Sequence, residues 1–145
     1  MSASNTPLKR VLFLCTGNSA RSQIAEALLR HVARDHFEVF SAGTTPRPHV
    51  HPDAIETLRR HSVPVDGLTP KDVATFAGQS FDYVITLCDR AREHCPRFDF
   101  AETMHWTFQD PAQILDDVSR QRAFDQLFSG LSQRVRYLII VDEKT

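Results

Sequence analysis

Short segments rich in apolar residues alternate along the chain with longer segments whose apolar residues recur every three or four positions. The short segments predict buried strands. They are Val11–Leu14, Phe37–Gly43, Phe81–Leu87 and, near the C-terminal third, Thr103–Phe108. The longer segments predict helices with one face on a core. These run from Gln23 to about His36, from Pro52 to about His61 and from about Val118 to Val141. A strand, a helix and a strand in succession predict a parallel pair with a right-handed crossover.

The segments between these elements contain turn-forming residues. Two prolines place a loop over Thr44–Val50, and Val63–Leu68 is a second connector. Thr69 can act as the N-cap of a short helix that follows it. The first long helix is expected to turn one apolar stripe to the core, made of Ile24, Ala25, Leu28, Leu29 and Val32.

The composition fits a single domain over residues 1–145. The chain has 145 residues, of which 41% are hydrophobic, which suffices for one core and is too little for two ordinary domains. The net charge of −1 leaves no basic excess for nucleic acid or a membrane surface. Met1–Pro7 has no apolar signal-like core and no run approaches a membrane span, so we expect a cytoplasmic protein. Three cysteines in such a chain favour reactive thiols over structural disulfides.

Cys15 stands where the first strand passes through a loop of mostly small residues into the first helix. Such a turn gathers backbone N–H groups and the positive end of the helix dipole around one point. A free thiol has a pKa of about 8.5, whereas a cysteine at a helix N-terminus beside a cation can reach about 3.5–7.5. Arg21 has the planar geometry that suits tetrahedral oxyanions, and Ser22 can donate a hydrogen bond to the sulfur. The loop therefore predicts a nucleophile that attacks phosphate or a similar oxyanion.

Cysteine and arginine separated by five residues form a weak motif by themselves. The preceding strand strengthens it, as do Gly17 and Asn18 where a loop needs unusual backbone angles. A buried structural cysteine at the end of a strand is the alternative.

Cys88 follows the predicted strand Phe81–Leu87 and therefore lies at the same sheet edge as Cys15, where open α/β sheets bind ligands. The segment Asp89–His94 looks helical, and Pro96 stops it. If it is helical, Cys88 and Cys95 are about 10 Å apart along the helix axis. A disulfide needs Cα atoms within about 7 Å, so pairing these cysteines requires the helix to unwind. Two merely buried cysteines are the alternative.

Metal binding has little support in the sequence. His49, His51 and His61 lack a cysteine or paired carboxylate at ligand spacing, so we expect surface or capping histidines. A zinc site built from a set of two cysteines and two histidines lacks the usual close ligand pairs. That set is Cys88, His94, Cys95 and His105.

The segment Cys15–Glu26, with the sequence CTGNSARSQIAE, resembles the phosphate loop of low-molecular-weight protein tyrosine phosphatases and of the arsenate reductases that share their fold. Gln23, where the phosphatases usually carry proline, and the pair Cys88 and Cys95 favour the reductases. The resemblance extends from Val11 to the C-terminal helix. It implies an α/β three-layer sandwich with a four-stranded parallel sheet of strand order 2-1-3-4.

The resemblance also implies the site. An oxyanion would be held by Thr16, Gly17, Asn18, Ser19, Ala20 and Arg21. Asp110 in Gln109–Asp110–Pro111 would be the general acid, although from the residues alone Asp-Pro is simply a turn. Cys15 would attack arsenate, Cys88 would attack Cys15, and Cys95 would attack Cys88, leaving a disulfide for thioredoxin. Ala20 stands where many relatives have another cysteine, and three sulfurs suffice without it.

Many related reductases hold a potassium ion behind the loop. The matching positions here are Asn18, Glu26, Ser41 and Thr69. Lys71 stands where the family has an acidic residue, so its ammonium group is expected to replace the cation and pair with Glu26. An ordinary surface lysine is the alternative.

Other functions remain open at this point. A phosphatase using Cys15 and Asp110 shares the first half of the reaction and then needs only water, and a redox sensor or oxyanion-binding regulator would need no acid. No bound cofactor or metal is expected, and the partners are arsenate and a reductant. Two resolving cysteines favour thioredoxin over a small thiol, and the lack of an evident exposed apolar stripe favours a monomer.

Overall fold

The computed structural model describes residues 7–145. The expectation of no signal segment in Met1–Pro7 therefore falls, for its first six residues, outside the described part of the chain. Four strands form one parallel sheet in the order β2-β1-β3-β4, which confirms the expected order. Their bounds are β1 Lys9–Cys15, β2 Phe37–Gly43, β3 Tyr83–Thr86 and β4 Glu102–His105.

Helices cover both sides of the sheet, as expected for a three-layer α/β sandwich. Their bounds are α1 Arg21–Ala33, α2 Pro52–Arg60, α3 Asp89–Glu93 and α4 Asp117–Glu143, with single 3-10 turns at Val73–Phe76 and Pro111–Gln113. Helices α1, α2 and α4 pack on one another, and α3 packs near β1 and β3. Among residues 7–145, no helix combines the length and the apolar character that a membrane crossing requires.

The core is centred on β1, which pairs with β2 on one side and β3 on the other. Val11 to Leu14 have no exposed surface, because both faces of this central strand are covered. Phe124, Leu131 and Leu138 of α4 are equally buried and spaced by seven residues. This packing fixes the carboxyl end of β1, which carries Cys15.

Three local predictions were wrong. The first helix begins at Arg21 rather than Gln23 and ends at Ala33 rather than His36. Val32 is 55% exposed and outside the core, because Leu29 and Ala33 face the core over the last turn of α1. Thr69 is not an N-cap: the helical turn starts later, where the side chain of Asp72 accepts a hydrogen bond from the amide of Ala74.

Gly43 ends β2 directly opposite Cys15 in the register of the two strands. A Cβ atom at Gly43 would lie 2.6 Å from the carbonyl oxygen of Thr16 and 3.0 Å from the backbone nitrogen of Asn18. Both neighbours are backbone atoms and cannot rotate away. The absence of a side chain at Gly43 therefore lets the loop after β1 close against β2.

We predict that Gly43→Ala lowers the free energy of unfolding by about 1–3 kcal/mol, the usual cost of overpacking. The measurement is equilibrium urea unfolding. Gly17→Ala is the control, because its Cβ would meet only the flexible side chain of Arg47, at 3.2 Å. Equal destabilisation by the two substitutions would contradict this account of Gly43.

Candidate active site

The loop between β1 and α1 wraps around the sulfur of Cys15. The amide of Asn18 donates a hydrogen bond to Cys15 Sγ at 3.2 Å, and Asn18 adopts a left-handed backbone conformation with φ 48°. Ala20 is the N-cap of α1 and supplies no side-chain acceptor. The first amides of α1 are therefore not satisfied by a capping side chain and can donate to an anion.

Asn18 sets the direction of the hydrogen bonds around the sulfur. Its Oδ1 accepts a hydrogen bond from the amide of Lys71 at 2.8 Å, which identifies the other amide atom as the donor Nδ2. Nδ2 donates to the hydroxyls of Ser22 at 2.7 Å and Ser41 at 2.9 Å. Because Ser22 Oγ accepts from Asn18, its own hydrogen is free to point at Cys15 Sγ, 2.8 Å away. Ser41 in turn donates to the carboxylate of Glu26.

Glu26 anchors this network behind the loop. Its side chain is 3% exposed, and it pairs with Arg30 at 2.7 Å and with Lys71 Nζ at 3.6 Å. Lys71 Nζ also donates to the carbonyl oxygen of Thr69. Burial lowers the pKa of Lys71, while the charge of Glu26 acts in the opposite direction. The five residues of the expected cation position are thus joined in one network, in which the ammonium group of Lys71 contacts Glu26 and the carbonyl oxygen of Thr69.

Arg21 and Asp110 meet at the mouth of the loop. Arg21 Nη1 donates to the carbonyl oxygen of Phe108 at 3.1 Å, and Nη2 lies 3.9 Å from Asp110 Oδ2. Asp110 Oδ1 accepts a hydrogen bond from the amide of Ala112, which fixes the carboxyl group at the start of a 3-10 turn. Both side chains are thereby held at the opening in front of Cys15.

The prediction of a lowered pKa at Cys15 is wrong for this arrangement. Burial is the largest influence and raises the pKa of the thiol. The hydrogen bond of Ser22, the charge of Arg21 and the amides of Ser22 and Asn18 lower it, but they do not offset the loss of solvation. The sequence reveals the donors of the loop, whereas the burial of Cys15 depends on the fold around it.

Cys15 and Cys88 open onto one cavity of about 640 Å³. Cys88 follows β3, and its Sγ lies 3.3 Å from the hydroxyl of Thr16 in the loop. The same sulfur accepts a hydrogen bond from the amide of Ala91, so Cys88 is the N-cap of α3. The two cysteines therefore share one edge of the sheet, as expected.

Cys95 lies beyond α3 and does not line that cavity. Its thiol is half-buried, contacts the carbonyl oxygen of Pro96, and has a pKa that burial raises. The helix expected between Cys88 and Cys95 is present over Asp89–Glu93, and all three cysteines are free thiols.

Two further arginines line this cavity, and one of them, Arg47, was not singled out from the sequence. Arg47 lies on Gly17 in the proline-containing loop after β2, and Arg90 belongs to α3. Both follow the carboxyl end of a parallel strand, a position that could have identified Arg47 as well. Together with Arg21 they give the cavity three guanidinium groups against the single carboxylate of Asp110.

Two of the candidate metal-binding histidines have other contacts. His51 accepts a hydrogen bond from the amide of Asp53 at the start of α2, and His61 stacks on Phe128 at 4.0 Å between ring centroids. Within residues 7–145, no three His, Cys, Asp or Glu side chains are grouped in a way that could hold a metal ion.

The chain was compared with known proteins. Residues 10–143 match the family described as low molecular weight phosphotyrosine protein phosphatase. An arsenate reductase of Oceanobacillus iheyensis is 30% identical over 130 residues, covering 88% of this chain and 93% of the relative. An arsenate reductase of Halalkalibacterium halodurans is 36% identical over 130 residues, with the same two coverages of 88% and 93%.

A solved structure adds to these relatives. The thioredoxin-dependent arsenate reductase Cg_ArsC1′ of Corynebacterium glutamicum superposes with a TM-score of 0.76 at 30% identity and covers 95% of this chain. The present chain spans 63% of that longer protein. The sheet order, the loop around Cys15 and the match over residues 10–143 agree, and the chain belongs to the low molecular weight phosphotyrosine protein phosphatase family.

Proposed function

We propose that this protein reduces arsenate to arsenite through a relay of Cys15, Cys88 and Cys95 that thioredoxin regenerates. The observation that carries the proposal is the position of a second thiol, Cys88, in the oxyanion cavity of Cys15, 3.3 Å from the hydroxyl of Thr16. Hydrolysis of a phosphate ester by Cys15 and Asp110 does not require this second thiol. Relatives at 30% and 36% identity named arsenate reductase support the same conclusion.

The first step is capture of the oxyanion. Thr16, Gly17, Ser19, Ala20 and Arg21 line the cavity, while Asn18 is fully buried and shapes the loop from behind. The amides of the loop and the fork of Arg21 suit three oxygens of a tetrahedral anion. Arsenate shares this shape and charge with phosphate.

The second step is attack by Cys15 on arsenic. Since burial keeps the thiol protonated, its proton can pass to an oxygen of the bound dianion, while Ser22 donates to the sulfur and stabilises the thiolate. Asp110 protonates the departing oxygen, which leaves as water. The product is a covalent bond between Cys15 Sγ and arsenic, which is still pentavalent.

The third step is the reduction. Cys88 attacks Cys15 Sγ, the sulfur–arsenic bond breaks, and its electron pair leaves with arsenic as arsenite. A disulfide between Cys15 and Cys88 forms, so two thiols are oxidised while arsenic gains two electrons. Cys95 then attacks Cys88 and frees Cys15, which requires α3 to unwind, and thioredoxin reduces the resulting disulfide.

A phosphatase remains the second candidate because the loop and Asp110 suffice for hydrolysis, and residual activity on phosphate esters is part of our proposal. The cavity, however, is lined by arginines, prolines and small residues, and no aromatic ring faces it among the described residues. Such walls suit an inorganic oxyanion better than an aryl phosphate. A sensor without turnover would leave the placement of Asp110 beside Arg21 unexplained.

The oligomeric state and the location that we propose for the protein rest on its exposed side chains and its net charge. Its large exposed apolar side chains are Leu8, Val32, Phe100, Leu115, Val118, Tyr137 and Ile140. Val118, Tyr137 and Ile140 belong to α4, with Tyr137 and Ile140 one turn apart, and the other four come from other segments. Since two neighbouring side chains make only a small apolar patch, we propose a monomer. With a net charge of −1, we propose a cytoplasmic enzyme that binds neither nucleic acid nor membranes.

We predict arsenate-dependent consumption of NADPH in the presence of thioredoxin and thioredoxin reductase. Cys88→Ser and Cys95→Ser are each expected to lower turnover by at least about a hundredfold, because either change interrupts the transfer of electrons. Hydrolysis of an aryl phosphate by the same variants is the control and should persist. No arsenate turnover in the parent, with full phosphatase activity in all three proteins, would establish the phosphatase instead.

We predict that Ser22→Ala raises the apparent pKa of Cys15, since a donor to the thiolate is lost. The measurement is the rate of alkylation by iodoacetamide against pH in a Cys88→Ser/Cys95→Ser background, where the rate increases as pH rises through the pKa. Ser19→Ala is the control, being in the same loop without a side-chain bond to sulfur. An unchanged midpoint in Ser22→Ala would show that the hydroxyl of Ser22 does not stabilise the thiolate of Cys15.

We propose that Lys71 occupies the cation position, so turnover should differ by less than about twofold between potassium and sodium salts at equal ionic strength. Removing the side chain beyond Cβ in Lys71→Ala leaves Glu26 and the carbonyl oxygen of Thr69 facing a vacant position beside Asn18 and Ser41. Potassium should then raise both turnover and the midpoint of thermal unfolding. A parent enzyme that potassium stimulates several-fold would refute the substitution.

A further inference from the structure

A polar cluster beside α3, outside the cavity of Cys15, joins the ends of two strands to the helix. His105 is the last residue of β4. Its Nδ1 lies 2.7 Å from the hydroxyl of Thr86, the last residue of β3, and its Nε2 lies 3.0 Å from Asp89 Oδ1, at the start of α3. Thr107 Oγ1 lies 3.0 Å from the same Nε2.

The hydrogen positions in this cluster follow from its partners. An ionised carboxylate only accepts, so Nε2 of His105 carries the hydrogen that faces Asp89. In the neutral ring, Nδ1 then accepts from the hydroxyl of Thr86. The imidazole, with a side chain 19% exposed, is thus held by the sheet on one side and holds α3 on the other.

Helix α3 has only five residues, too few to persist without outside contacts. Within the helix, Asp89 lies 3.7 Å from Arg92. Two side-chain interactions tie the N-terminus of α3 to groups outside the helix: the sulfur of Cys88, which accepts from the amide of Ala91, and the contact of Asp89 with His105. The proposed reaction consumes the first of these when Cys88 enters a disulfide. The contact of His105 with Asp89 then remains to hold the first turn.

We propose that His105 is a positioning residue that fastens α3 to the sheet and keeps Cys88 at Thr16 until Cys15 has been attacked. This inference rests on the proposed relay. Because the disulfide between Cys88 and Cys95 forms only when α3 unwinds, a contact that holds the helix also opposes that disulfide. His105 therefore sets the balance between the dithiol and the disulfide of this segment.

The test is the equilibrium between the Cys88–Cys95 dithiol and disulfide in a glutathione redox buffer, measured on the full chain carrying Cys15→Ser. His105→Leu and Asp89→Ala should each shift the equilibrium toward the disulfide by about threefold to tenfold. The double variant should shift it no further than Asp89→Ala alone, because that change already removes the contact with His105 together with the pair of Asp89 and Arg92. His105→Gln, which can donate from a similar position, should recover part of the parent value.

Thr107→Val is the matched control, since it removes another neighbour of Nε2 and leaves Asp89 in place. Purely additive shifts, or none in His105→Leu and Asp89→Ala, would overturn the role of His105 while leaving the relay intact. Absence of any Cys88–Cys95 disulfide in the Cys15→Ser protein itself would instead reject the relay, and the role of His105 with it. Asp89→Ala is an exposed substitution and keeps the test available if His105→Leu does not fold.

Discussion

The buried amide of Asn18 is the interaction on which the geometry of the site depends. It accepts a hydrogen bond from the backbone of Lys71 and donates to Ser22 and Ser41, so one side chain orients hydroxyls from α1 and β2 at once. The left-handed backbone of Asn18 also aims its own amide at Cys15. If Asn18 did not donate to Ser22 Oγ, nothing would orient the hydroxyl hydrogen of Ser22 toward the sulfur.

The second constraint is that the sulfur of Cys88 makes two contacts in the reduced protein. Its sulfur caps α3 through the amide of Ala91 and lies beside Thr16 in the oxyanion loop. A sulfur that becomes part of a disulfide with Cys15 can no longer hold that cap in the same geometry. Loss of an N-cap costs a helix about 0.5–2 kcal/mol. In the proposed relay, the disulfide between Cys15 and Cys88 would therefore loosen the segment that carries Cys95.

Much of the fold could be predicted because strands buried on both faces have a plain sequence pattern and their carboxyl ends share an edge. That reasoning placed Cys15 and Cys88 together and identified the helix between Cys88 and Cys95. It did not reveal that Arg30 shares Glu26 with Lys71, nor that burial outweighs the donors at Cys15, since both depend on packing between distant segments. The prediction that Val32 faces the core was wrong for a similar reason. The packing of α4 and the sheet, as well as the spacing of apolar residues, decides which face of α1 is covered.

The most direct test of the account is a single turnover of Cys95→Ser with arsenate and no reductant, followed by peptide mapping of the thiols. The relay predicts one disulfide between Cys15 and Cys88 for each arsenite released, because the third sulfur that would move it onward is absent. Release of arsenite without that disulfide, or formation of the disulfide at the same rate without arsenate, would contradict the claim that Cys88 completes the reduction in the cavity of Cys15.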